Sequence, residues 1–273
     1  MPLVMRWRGA TSAPVGGEVI RPDGLGGSVE EAARVSIPVG NGRAELAELF
    51  DLEGDGGDGQ ILLEGDLRTV HGLGAGMTSG RLEVRGDVGH RLGEAMAGGS
   101  IEVSGSVGSN AGADLIAGWI RVRGNAGANL GAARPGSRVG MRGGVILVDG
   151  SAGSGVGTAI RRGTIAVGGS VGEGAGRGMI AGSIFVGGSV APGLGAGMKR
   201  GTIAILGSGP FEPGPTFEPS GTLRPPVLTI YLRQLRDWGF PVPDAAFQAS
   251  IRRYNGDRSL GGQGEIWDVG KSS

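Results

Sequence analysis

Along the middle of the chain, apolar residues alternate with other residues in runs of only about five positions, each opened and closed by glycine. The alternating cores fall at 82–84, 101–103, 120–122, 146–148, 165–167, 184–186 and 203–205. A period of two is that of a strand with one face buried, and the stretches between are too short for a helix with an apolar stripe. The pattern therefore predicts strands joined by tight turns.

The runs are periodic. The glycines that open each G-x-[IL]-x-[VIL] segment are Gly59, Gly80, Gly99, Gly118, Gly144, Gly163, Gly182 and Gly201, and five of the seven intervals are 19 residues. Inside this spacing lies a 13-residue unit, G-x-x-M-x-x-G-x-[IL]-x-[VI]-x-G, seen at 74 to 86 and 93 to 105 and recurring at 112, 138, 157, 176 and 195. The 138 copy opens with Arg138 instead of glycine, and Leu115 and Ile160 take the methionine place in two others. Equal offsets in successive units place like residues in columns. One holds Leu82, Ile101, Ile120, Ile146, Ile165, Ile184 and Ile203, and a second holds Val84, Val103, Val122, Val148, Val167, Val186 and Ile205. A third holds Met77, Met96, Leu115, Met141, Ile160, Met179 and Met198. Repeats of one strand plus turns, stacked in parallel, predict an all-β chain: a right-handed parallel β-helix, or solenoid, of about eight rungs spanning roughly 40 Å.

Residues 1–58 and 208–273 do not repeat, so the β-helix is assigned to 59–207, with a small N-terminal cap before it. Within that cap, 42–54 mixes short strand and helix signals, with Leu46, Leu49 and Phe50 as the expected packing residues. The proline- and glycine-rich stretch after Gly207 reads as an extended linker without regular structure. Leu228, Tyr231, Leu232, Leu235 and Trp238 then predict a helix, and 243–254 suggests a second one. One interval is 26 residues long, which adds seven residues within 128–138 as a surface loop: a binding feature or a tolerated insertion.

Composition narrows the functional classes. Lys+Arg and Asp+Glu balance at 26 each, so no net field draws in nucleic acid or an anionic membrane. The absence of cysteine removes disulfides, thiolate catalysis and cysteine metal sites. No stretch reaches the roughly 18 apolar residues of a membrane span, and the N-terminus lacks a signal-peptide pattern, so the expected compartment is the cytoplasm. Glycine supplies 61 residues, which in an aperiodic chain would suggest disorder, but here the glycines mark turns.

Few residues invite chemistry. The methionine column is better explained by packing than by soft-metal binding, since Leu115 and Ile160 interrupt it. Strings such as GLGAGM at 72 to 77 imitate a dinucleotide fingerprint but lack the strand, phosphate turn and long helix that would make one. His71 and His90 share a column, yet Ser109 follows them, so a structural or surface role outweighs a metal site. The turn after the methionine column carries Arg142, Arg161, Arg162, Lys199 and Arg200, which stacking would gather into a basic stripe. Solvated charges paired with nearby carboxylates are the plainer account. Contact with an acidic partner surface or a polyanionic cofactor tail is the functional one. No catalytic, cofactor-binding or metal residue is assigned in this chain.

The repeat units, the preceding IPVGNGRAELAELFDLEG at 37 to 54 and the closing RRYNGDRSLGGQGEIW at 252 to 267 resemble the C subunit of formylmethanofuran dehydrogenase over nearly the whole chain. The arginine-rich bias favours the bacterial branch, the formyltransferase/hydrolase complex. The resemblance implies a non-catalytic subunit of a four-subunit enzyme of one-carbon metabolism, with hydrolase, formyltransferase and a further subunit as partners. It implies that formyl groups pass between tetrahydromethanopterin and a methanofuran-type carrier and leave as formate. The carriers and a metal are expected in the partner subunits, and no family catalytic residue transfers to a position here. Two alternatives stand beside it. One is the similar C-terminal β-helix domain of the large glutamate synthase subunit; the other is a carbohydrate-active β-helix enzyme such as a lyase, which requires charged groups clustered in a groove.

Overall fold

A computed structural model describes residues 1–25 and 27–269. Thirteen strands form one mostly parallel sheet, and a four-stranded sheet lies in the N-terminal part. The eight repeat strands, from Gln60–Glu64 to Arg200–Ile205, pair in parallel and in order, each column residue opposite its counterpart in the next repeat.

Two further ladders bind the repeats. Leu67, Val88, Val107, Ala126, Ala152, Val171 and Val190 form a chain of parallel bridges. In the turn after the methionine column, Ala97, Ile116, Arg142, Arg161, Ile180 and Lys199 each donate their N–H to the methionine-column carbonyl of the preceding repeat, at 2.6–2.8 Å. The three apolar columns and the bridge residues point into a shared interior and are almost completely buried, except for the last bridge residue, Val190, which is partly buried.

The glycines of the unit are explained by that packing. A Cβ placed on Gly99 would lie 2.6 Å from Met77 Cε, and one on Gly93 would lie 2.7 Å from Ile120 Cδ1. Both glycines have positive φ, +79° and +59°, so the turn and the close approach make the same demand. The methionine and isoleucine columns therefore fill the space left by glycine in the neighbouring repeat.

The fourth unit differs from the sequence reading. Its first glycine is Gly131 and not the place held by Arg138: Met141 donates its N–H to Gly131 O at 3.1 Å, as Met77 does to Gly74 at 3.2 Å. The added residues lie between Gly131 and Met141, where Arg134 anchors the loop on Asp114 at 2.8 Å and Glu94 at 3.2 Å.

Both ends extend the parallel sheet. Leu3–Trp7 pairs in parallel with the first repeat strand and antiparallel with Phe50–Glu53. Between them, Leu46–Leu49 is a short helix, and Leu46, Leu49 and Phe50 are buried as expected. At the other end Gln263–Val269 pairs in parallel with Arg200–Ile205, setting Gly264 opposite Gly201 and Ile266 opposite Ile203. The closing segment thus supplies a further strand in the repeat's register, which the linear spacing hides because 57 intervening positions separate Ile205 from Gln263.

Two expectations for this end need correction. The stretch after Gly207 contains a strand, Glu218–Leu223, because its polar backbone finds partners on Ile251–Gly256. The segment 243–254 forms only a short 3₁₀ turn, Asp244–Phe247, and then the strand Ile251–Gly256, whose Ile251 and Tyr254 are recruited to buried positions. The helix Pro226–Asp237 does form, with Leu228, Leu232 and Leu235 buried.

Candidate functional site

The outer face of the main sheet is divided by Arg121. The outward position between the two interior columns reads Glu83, Glu102, Arg121, Leu147, Ala166, Phe185 and Ala204. From Leu147 onward it is apolar and joins Trp267, Leu228, Leu232 and Leu235 in a second buried cluster beneath the C-terminal helix. Phe185 meets Tyr231 with ring centroids 5.4 Å apart.

Before Leu147 the face is a continuous ion-pair network. Glu53 and Glu64 flank Arg6 at 2.9 and 3.0 Å, and Arg85 links Glu64 to Glu83 at 3.0 and 3.2 Å. Arg81 links Glu83 to Glu102 at 3.7 and 3.2 Å, and Arg123 links Glu102 to Asp149 at 2.8 and 3.4 Å. Arg121 ends the network on Asp149 and is itself only 1% exposed. Its guanidinium also donates to the carbonyls of Trp238 at 3.3 Å and Gly239 at 3.0 Å. A buried cation there satisfies carbonyls at and just beyond the helix C-cap and complements the partial negative charge of that end. The sequence reading missed Arg121; the change from charged to apolar residues along its own column was the available signal.

The histidine pair is a turn device. The rings of His71 and His90 lie 5.0 Å apart. His71 Nδ1 accepts the N–H of His90 at 3.0 Å, and His90 Nδ1 accepts that of Ser109 at 2.9 Å. Burial lowers the pKa of His71, the positive charges of His90 and Arg91 add to the lowering, and Glu18 opposes it. A parallel column does the same work: Ser106, Asn125, Ser151, Ser170 and Ser189 each receive a side-chain acceptor from the repeat before, at 2.7–3.1 Å, starting from Asp87. Among the described residues, no group of three or more His, Asp or Glu is placed to hold a metal ion, and no helix is long and apolar enough to cross a membrane.

The basic residues predicted from the sequence divide into two sets. Arg142, Arg161 and Lys199 occupy the same position of the third ladder, Arg162 follows Arg161, and all four are exposed. Among the described residues none of these four side chains has an ion-pair or hydrogen-bond partner. Arg200 departs from the set: it begins a strand, and its Nε donates to Gln263 at 2.8 Å. Ile116, 45% exposed, and Ile180, half-buried, occupy the remaining nearby positions of that ladder. Arg142 also borders a polar cleft of about 690 Å³ formed with the inserted loop, where Arg134 and Arg91 are already paired with Glu94, Asp114 and Glu18.

No family model matches the sequence. In fold and chain length the protein is similar to a chain from the crystal structure of the formyltransferase/hydrolase complex of Methylorubrum extorquens in complex with methylofuran. The identity is 33%, the TM-score 0.90, and the match covers 98% of this chain and 100% of that one. It is also similar to the C subunit of molybdenum-containing formylmethanofuran dehydrogenase 1 of Methanosarcina barkeri, 37% identical over 77 residues. That match spans about a quarter of the curated relative: 26% of each chain is covered. The chain belongs to the family formed by the C subunit of formylmethanofuran dehydrogenase and its counterpart in the formyltransferase/hydrolase complex.

Proposed function

We propose that the chain is a non-catalytic scaffold subunit of a formyltransferase/hydrolase complex of one-carbon metabolism. The observation that carries the reading is the end-to-end match, at 33% identity, to a chain of such a complex. In this reading hydrolase and formyltransferase subunits dock on the chain, together with a further subunit. They move formyl groups between tetrahydromethanopterin and a methanofuran-type carrier and release formate in the cytoplasm. The carriers and the catalytic metal belong to those partners.

The repeats of 59–207 wind as a right-handed parallel β-helix, which supports the role: in-register ladders on three sides of each repeat give a stiff platform. Residues 1–58 and 208–273 act as its caps, supplying the edge strands and the helix that end the ladders.

Co-expression with the hydrolase and formyltransferase subunits, affinity capture through this chain and mass spectrometry test the reading. A stable complex that hydrolyses the formylated carrier, beside an isolated chain with no hydrolysis, is the expected result. Hydrolysis by the isolated chain, or failure to capture either subunit, refutes it.

A further inference from the structure

We propose that the row Arg142, Arg161, Arg162 and Lys199 is the docking site for an acidic surface segment of a partner protein subunit, laid lengthwise across the repeats; this rests on the reading of the chain as a subunit. The contrast with the outer sheet face carries the argument. There Arg6, Arg81, Arg85, Arg121 and Arg123 are each neutralised by carboxylates of this chain. On the turn face four exposed cations have no such partner among the described residues, although the whole chain is charge-balanced. Ladder spacing sets Arg142 and Arg161 roughly 5 Å apart and Lys199 roughly 10 Å further on, close enough for like charges to repel. A counter-charge from outside the chain removes that repulsion.

The row also indicates what kind of polyanion fits. Ile116 lies one step before Arg142, and Ile180 sits between Arg161 and Lys199. Ile116 is 45% exposed and Ile180 half-buried, so the row offers apolar contact between its charges. A protein segment with carboxylates and apolar side chains uses both features, whereas a bare polyanion uses only the charges.

The test is R142E/R161E in the full co-expressed complex. Because these side chains form no hydrogen bond or ion pair with the described residues, the variant's own unfolding midpoint stays at or slightly above that of the unaltered chain. Its affinity for the remaining subunits falls ~10-fold or more, and the dependence of association on NaCl becomes shallower. R142K/R161K retains most of the affinity. Equal association of R142E/R161E and the unaltered chain overturns the proposal. So does a charge-dependent difference confined to added polyaspartate, which would identify a free polyanion as the occupant. If the unaltered chain itself captures no subunit, the scaffold reading fails, a different result from either of these.

Discussion

Glu83 and Glu102 stand where, further along the same column, Leu147, Ala166, Phe185 and Ala204 stand. The interior columns hardly change between these two regions, so the repeat itself is indifferent to what lies outside it. In the first region the outer face meets solvent and neutralises itself with carboxylates and guanidinium groups. In the second it is covered by Pro226–Asp237 and buries its apolar residues. One backbone thus carries two surfaces, and Arg121 is the joint, bound to the ion network on one side and to the end of the helix on the other. Inner and outer faces of such a sheet evolve under separate constraints because strand side chains alternate between them.

This contrast can be broken most severely in the covered half. Leu232→Ala removes a fully buried side chain from the helix contact and is expected to cost about 2–5 kcal/mol, read by denaturant unfolding. A cost near zero would mean that the helix does not depend on the apolar half. Arg121→Met keeps the bulk and removes the charge-assisted bonds to Trp238 and Gly239. Asp149 retains Arg123, so the expected loss is about 2 kcal/mol, with faster amide exchange at the C-terminal end of the helix.

In the open half the effects are smaller. The lowered pKa of His71 favours its neutral form in the folded chain. The stability this contributes is complete above the unfolded value near 6.5 and is lost as pH falls through the lower folded value. Between pH 7 and 5 the melting temperature should therefore drop more for the unaltered chain than for His71→Asn; parallel curves would contradict the assignment. Arg81→Gln, in the exposed ion network, should cost less than about 1 kcal/mol, and less still in high salt. A loss as large as that of Arg121→Met would show that burial is not what separates the two regions.

The interior was legible because a 19-residue period writes each column directly into the chain. Ile165, Ile184 and Ile203 are buried opposite one another, as their common offset requires. The positions of Arg142, Arg161 and Lys199 in one ladder were legible for the same reason. Their lack of partners was not, since a carboxylate distant in sequence could have reached them. Arg121 was hidden because its partners at 238 and 239 lie more than a hundred residues away and are backbone carbonyls.

Local periodicity by itself determined which residues point inward, where glycine is required and how successive repeats align, since each of these depends on neighbours at a fixed offset. Only the tertiary structure decided the course of the ends. The strand Gln263–Val269 returns to the edge left by Arg200–Ile205, and Ile251–Gly256 becomes a strand because the outer edge of Gln263–Val269 in turn offers unpaired backbone groups. The choice between a salt-bridged and a helix-covered outer face was likewise made by long-range contact, because whether a side chain meets water depends on what packs above it.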